Sequence, residues 1–209
     1  GFRPDQIIGI GVDTTGSTPL PVDRHGRPLA FDRRFAKHPA AMAWLWKDHT
    51  GVAEAGEITE LARKLRPQYL AKCGGTYSSE WFFSKILHCL RTSPEVFDAA
   101  YLWVECSDWV PAMLTGTEAL DQMTLGICAV GHKAMFNDAW GGYPDAKFLS
   151  QLDPKLGRLR SRLPSKARAI DQPAFAVAVF DADVDVLHRR VEEVRRPAPG
   201  ALVVRRYAE

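Results

Sequence analysis

The segment from Asp13 to Thr18 carries the residues with the clearest chemical potential, an acid followed by hydroxyl groups and one glycine. It reads Asp-Thr-Thr-Gly-Ser-Thr and follows an apolar stretch over 7–12. A buried strand that ends at Asp13 would present its carboxylate at the carboxyl edge of a sheet, where open α/β sheets bind ligands. Gly16 allows close approach to the backbone, and Ser17 adds a hydroxyl. The segment is compatible with a phosphate loop, a loop for another ligand, or a tight turn.

Two further segments could contribute to a polar site. Lys133 stands in a Gly-His-Lys sequence and could donate three hydrogen bonds to hydroxyl or carbonyl oxygens, although a solvent-facing lysine fits the pattern too. Residues 77–81, Tyr-Ser-Ser-Glu-Trp, combine aromatic, hydroxyl and carboxylate groups. That mixture is typical of sugar sites, and helix capping with core packing explains it equally well. His132 has no second metal ligand at a suitable spacing, so no metal site is predicted.

The composition excludes several classes of protein. The chain has 209 residues, 46% hydrophobic and 25% charged, as expected of a globular domain. A formal charge of +2 gives no reason to expect a nucleic-acid partner. No apolar run approaches the roughly 20 residues of a membrane helix, and the first residues do not resemble a signal peptide, so we expect a cytoplasmic protein without a membrane partner. The four cysteines lack the spacing of a zinc ribbon or a disulfide framework.

Hydrophobic periodicity and turn residues predict an α/β arrangement. The predicted strands are 7–13 and 101–105, with a hairpin between 19–22 and 29–31. The predicted helices are 52–65, one capped by Ser78 or Ser79, one that starts at Pro94, one that ends near Gly116, and 144–152, with a loop over 125–136. A strand over 175–180 and a helix over 184–194 are predicted in the last part of the chain.

Five of these segments together resemble one family. The sequences GIGVDTTGSTPLPVD, LWKDHT, GGTYSSEWFFSKILH, WVECSDWVPAMLTGT and GHKAMF followed by WGG occur in the order and spacing of the L-ribulokinases, a branch of the FGGY carbohydrate kinases. The resemblance covers about 7–163. It implies an α/β fold, a partial ribonuclease H-like N-terminal lobe of the actin and hexokinase type.

The resemblance also suggests which residues form a site. In this family the hairpin for ATP phosphates lies upstream of the segment that the present Asp13 region resembles, so the loop is expected on the sugar side. Gly16 and Ser17 would line a pentulose pocket, with Gly16 at the backbone-contact position, and Lys133 would bind sugar hydroxyls. Tyr77 matches an aromatic hydroxyl placed against substrate. Asp48 matches a common acid that we interpret as structural support.

The family reaction transfers the γ-phosphoryl group of ATP, with Mg²⁺, to the terminal hydroxyl of L-ribulose and yields L-ribulose 5-phosphate for arabinose catabolism. It needs a metal and an Asp base. The phosphate hairpin, the catalytic Asp segment and the adenosine-binding lobe of the family have no match here. We therefore assign no catalytic residue and expect this chain alone to be inactive. The implied partners are L-ribulose or a related pentulose, and either a second copy or the missing half of the kinase.

The sequence changes character after the resemblance ends. We divide the chain into 1–163, a partial kinase domain, and 164–209, a divergent tail rich in Ala, Arg and Val that could come from a frameshifted or truncated gene. The alternative function is a non-catalytic pentulose-binding or interaction fragment. A nuclease of related topology is disfavoured because it needs clustered acids for two metals, and only Asp13 stands at a suitable strand end.

Overall fold

A computed structural model describes residues 12–165 and residue 167, and two short antiparallel strands lie at its centre. Strand β1 (Pro19–Val22) pairs with strand β2 (Leu102–Glu105), so that Pro19 lies opposite Glu105. Every residue of both strands is buried. The pairing brings the residues before β1 next to the end of β2, where chemically active side chains lie.

The predicted hairpin is wrong in its second arm. β1 pairs with β2 instead, and Leu29–Phe31 forms a 3₁₀ turn, with one isolated bridge between the end of β1 and Pro28. The carboxylate of Asp23 accepts hydrogen bonds from the backbone N–H groups of His25 and Arg27 and closes the turn. The returning segment then begins with Pro28, which has no N–H group to donate to a strand ladder.

Eight α-helices occur in the described part of the chain. They are α1 (Val52–Leu65), α2 (Pro67–Ala71), α3 (Phe82–Thr92), α4 (Pro94–Ala99), α5 (Cys106–Thr115), α6 (Ile127–Val130), α7 (Ala146–Leu152) and α8 (Pro154–Leu159). Further 3₁₀ turns occur at Pro39–Ala41 and Asp138–Trp140.

Most of the predicted helices and one predicted strand are confirmed. Helices α1, α4 and α7 and strand β2 lie where the periodicity predicts them. Helix α5 ends as expected, because Gly116 adopts the left-handed conformation with φ +65°. Helix α3 is confirmed too, but its predicted cap is wrong. It begins after Trp81 with no side-chain cap, since the Ser78 hydroxyl accepts the N–H of Glu80 instead.

Three short helices were not predicted. Helix α2 begins at a proline and spans only five residues, and α6 interrupts the segment predicted as a loop. Helix α8 follows Asp153, whose side chain accepts the N–H of Lys155, and begins with Pro154. Helices this short contain too few residues to show a periodic apolar face, so capping residues are the usable signal.

The core forms between the sheet and the helices. Its largest fully buried side chains include Trp103 on β2, Phe83 on α3, Ile58 on α1 and Phe148 on α7. Helix α1 packs on both α3 and α7, and α3 also packs on α4. No described helix is long and apolar enough to cross a membrane. Of the predicted strand over 7–13, residues 7–11 lie outside the described residues, as do the elements predicted in the tail.

Candidate functional site

Gly16 and Lys133 lie in direct contact although they are far apart in the sequence. A Cβ atom at Gly16 would overlap the Lys133 Nζ atom and would lie 3.4 Å from its Cε atom. The ammonium group therefore occupies the space that any larger side chain at position 16 would need. Among the described residues, Lys133 forms no hydrogen bond or ion pair that would satisfy its three donors, so they remain available to a polar ligand.

The backbone of Lys133 is held from behind by Tyr77. The Tyr77 hydroxyl donates to the carbonyl of Lys133 and accepts the N–H of Phe83 at 3.0 Å, at the start of α3. The Tyr77 side chain is buried, and that burial raises its pKa well above the usual value. In this structure the Tyr77 hydroxyl connects the backbone of Lys133 to the start of α3. The direct sugar contact predicted for Tyr77 stays a prediction.

The turn that contains Gly16 continues into a buried segment with two charged neighbours. Ser17 adopts a left-handed conformation, with φ +62°. Its carbonyl accepts a hydrogen bond of 2.6 Å from the Lys85 ammonium on α3. The N–H of Thr18 donates to the Glu105 carboxylate at the end of β2, over 2.8 Å. The turn is thus hydrogen-bonded to helix α3 and to the end of strand β2.

Burial shifts the pKa values of three side chains, Glu105, Asp108 and Lys85. It raises the pKa of Glu105 to about 7, although the Thr18 N–H and the ammonium groups of Lys133 and Lys85 act in the opposite direction. It also raises the pKa of Asp108 to about 7 despite the hydrogen bond from the N–H of Gly126. Burial lowers the pKa of Lys85 to about 8, and the nearby Glu105 opposes that change. These groups titrate closer to neutrality than their exposed counterparts.

The remaining predicted acids lie outside this cluster of contacts. Asp48 accepts hydrogen bonds from the backbone N–H and the hydroxyl of Thr50, at 2.9 and 2.6 Å. It closes a local turn after the segment that Lys85 contacts, which is a supporting role. Asp13 is exposed.

Sequence comparison finds known proteins that are similar to this chain. A ribulokinase of Vibrio parahaemolyticus is 46% identical over 171 residues, which covers 81% of this chain and 30% of that protein. A ribulokinase of Shouchella clausii is 44% identical over 154 residues, covering 74% of this chain and 26% of the relative. This chain is homologous to part of the ribulokinases. No protein-family model matches it.

Some ribulokinases align with nearly all of the chain. The protein of Geobacillus thermodenitrificans is 34% identical over 221 residues, covering 98% of this chain and 38% of its own length. The chain therefore spans about a third of the length of the curated relatives it matches. The names of these relatives support a carbohydrate kinase, whereas the reaction of a whole ribulokinase lies beyond what this part demonstrates.

Lys85 and Glu105 were missed as site residues, although the sequence contains a signal for each. Lys85 lies within the apolar stripe of α3, one turn after Phe82, where a solvated lysine is not expected. Glu105 ends a strand whose residues are all buried. A charged residue at an interior position of a periodic apolar pattern needs a partner, because an unpaired buried charge is costly.

The described residues offer no metal site made of side chains alone. They contain no group of three His, Cys, Asp or Glu side chains that could hold a metal ion. A separate open groove of about 660 Å³ runs along α1 and includes Tyr77, but its lining includes neither Gly16 nor Lys133. No step of phosphoryl transfer is therefore assigned to residues of the described part.

Proposed function

We propose that this chain forms part of the sugar-binding lobe of an FGGY-type ribulokinase, with a ribonuclease H-like fold in the complete enzyme. The observation that carries the proposal is the contact between Lys133 and Gly16 in a chain 46% identical to a ribulokinase. A glycine backbone beside an ammonium group suits a ketopentose. Sugar hydroxyl and carbonyl oxygens can accept from the amine, and the missing side chain at position 16 leaves room for the ammonium group itself.

The pocket would be formed by Gly16 and Ser17 on one side and Lys133 on the other. Tyr77 would position Lys133 through its backbone carbonyl, as its hydrogen bonds indicate. In the complete enzyme the terminal hydroxyl of L-ribulose would attack the γ-phosphorus of ATP, its proton would pass to a base, and ADP would leave. We assign neither that base nor the ATP and Mg²⁺ sites to the described residues.

A second candidate is a pentulose-binding fragment without catalysis. The contact between Lys133 and Gly16 serves binding rather than proton transfer, and this favours the second candidate for the isolated chain. The two candidates share the sugar pocket and differ in turnover. Release of ADP in the presence of L-ribulose by the purified chain would demonstrate a kinase, whereas sugar binding without ADP release would demonstrate a binding fragment.

The test of the pocket is a calorimetric titration of the chain with L-ribulose. Lys133→Met should weaken binding by about tenfold or more, because hydrogen bonds from a charged donor are lost. Lys147→Met on α7 is the matched control, since Lys147 is an exposed lysine outside the pocket, and it should bind as the unchanged chain does. Equal affinity of both variants would contradict the assignment of Lys133.

A further inference from the structure

Two charged side chains contact the turn that contains Gly16 and Ser17 from inside the core. Lys85 on α3 is fully buried, and Glu105 at the end of β2 is 1% exposed. Among the described residues they form no direct ion pair with each other. Their hydrogen bonds go instead to the backbone of the turn that contains Gly16 and to the nearby segment 44–45.

The two side chains hold opposite ends of the same peptide group. Lys85 Nζ donates to the carbonyl of Ser17, and Glu105 Oε2 accepts the N–H of Thr18, so both contacts fall on the peptide between residues 17 and 18. The carbonyl end of a peptide dipole is negative and the N–H end is positive. A cation at the first end and a carboxylate at the second therefore favour one orientation of this peptide.

The peptide between Ser17 and Thr18 follows a residue with a left-handed backbone conformation. Ser17 is one of the two described residues other than glycine with positive φ, a region that side chains other than glycine adopt at a cost. A flip of the peptide between Ser17 and Thr18 would rotate ψ of Ser17 and φ of Thr18, and it would turn the carbonyl toward Glu105 and the N–H toward the Lys85 ammonium. The bond from Cys106 N–H to the Thr18 carbonyl, at 3.0 Å, holds the next peptide as well.

Lys85 also joins the turn to a second segment of the site. Its ammonium donates to the carbonyl of Leu45 at 2.6 Å and lies 3.4 Å from that of Trp44. An ammonium has three N–H donors, and three backbone carbonyls surround this one. A buried lysine whose donors are all used for backbone oxygens acts as a clamp between chain segments.

We propose that Lys85 and Glu105 are positioning residues, which fix the peptide between Ser17 and Thr18 and thereby hold Gly16 against Lys133. This inference rests on the proposed function only in naming the pocket as a pentulose site. Neither side chain needs to touch the sugar. Their effect on binding passes through the backbone of the turn.

The first test measures the turn without any ligand. The full chain is labelled uniformly with ¹⁵N, and exchange of the Thr18 amide hydrogen is compared with exchange of core amides in α3. Glu105→Met removes the acceptor and should accelerate Thr18 exchange by about tenfold or more relative to the core amides. Glu105→Gln keeps an acceptor of the same shape and should retain most of the protection.

Two further variants separate positioning from general stability. Lys85→Met should also accelerate Thr18 exchange selectively, because it releases the Ser17 carbonyl. Leu156→Ala is the control, since Leu156 is buried in α8 and should change Thr18 and core exchange together. If Thr18 exchange follows core exchange in all four variants, the two residues are only structural and the proposal is overturned. If Lys85→Met does not fold, the comparison of Glu105→Met with Glu105→Gln still tests the proposal.

The second test measures L-ribulose binding by the same variants. Glu105→Met should weaken binding by about tenfold, and Glu105→Gln should restore most of the affinity. If the unchanged chain binds no L-ribulose, the proposed function fails, while Thr18 exchange still decides the positioning role. If the chain binds and Glu105→Met binds equally well, the positioning role is overturned and the proposed function stands.

Discussion

At the scale of single residues, the site depends on contacts between positions that are remote in sequence. The side chain of Lys133 contacts Gly16, and Lys85 contacts Ser17. The sequence motifs indicate that these positions matter through their resemblance to a family, but residue types alone leave Lys133 equally compatible with a solvent-facing lysine. The close approach to Gly16 is the observation that gives Lys133 a specific environment.

Two glycines of the described chain provide a test of this close approach. A Cβ atom at Gly16 would overlap only the mobile end of the Lys133 side chain. A Cβ atom at Gly26 would overlap the carbonyl oxygen of Glu118 and lie 2.9 Å from its carbon, and Gly26 has φ +76°. Gly16→Ala should therefore change the free energy of unfolding by less than about 1 kcal/mol. Gly26→Ala should lower it by roughly 2–5 kcal/mol, because it adds backbone strain to a rigid overlap.

Urea unfolding of both variants measures this difference, and L-ribulose titration adds a second result. Gly16→Ala should weaken sugar binding although it leaves stability almost unchanged, since the displaced ammonium can no longer lie against residue 16. A large loss of stability in Gly16→Ala would show that the Lys133 side chain is held more rigidly than its lack of partners among the described residues suggests.

At the scale of elements, Asp145 connects the α1–α2 junction to α7. Its carboxylate accepts the N–H of Phe148 at the start of α7, and also accepts from Arg66 at 2.7 Å and from the Tyr69 hydroxyl at 3.0 Å. Burial acts to raise the pKa of Asp145, but the hydrogen bonds from Arg66, Phe148 and Tyr69 outweigh it and the pKa lies below the usual value. One side chain thus caps a helix and connects it to two others.

Asp145→Ala should lower the free energy of unfolding by about 1–3 kcal/mol, since a helix cap and two further hydrogen bonds are lost. Asp98→Ala is a suitable comparison. Asp98 pairs with Lys155 at 2.6 Å on an exposed surface, and such pairs contribute at most about 1 kcal/mol. Urea unfolding at neutral pH measures both variants. Equal losses would mean that the Asp145 contacts contribute no more than a surface ion pair.

Elements were predictable where their periodic pattern was long enough and their ends carried turn residues. Helix α1 has fourteen residues with an apolar stripe. Helix α5 ends at Gly116, which adopts the left-handed conformation that glycine favours. The partner of β1 was not predictable locally, because pairing with β2 joins residues 80 to 86 positions apart. The roles of Lys85 and Glu105 share that limitation, since their contacts exist only once α3 and β2 lie beneath the turn.

At the scale of the whole molecule, the chain leaves large apolar side chains in contact with solvent. Met42, Leu45 and Trp46 are 46, 53 and 47% exposed within one short segment, immediately beside the backbone that Lys85 holds. The edge of β1 away from β2 carries an isolated bridge from Val22 to Pro28, whereas the outer edge of β2 pairs with no other described strand and is a site for further pairing. The chain spans about a third of the ribulokinases it matches.

We therefore expect the isolated chain to self-associate and to unfold without a sharp, concentration-independent transition. A variant with Met42→Gln, Leu45→Gln and Trp46→Gln should be more monomeric in light scattering after size-exclusion chromatography, because the exposed apolar surface drives association. Phe31→Gln is the control, as Phe31 is 57% exposed outside this segment. Ammonium sulfate should strengthen association of the unchanged chain more than that of the triple variant, since excluded salts favour burial of apolar surface. A monomeric chain that melts cooperatively at every concentration would show that these side chains need no cover.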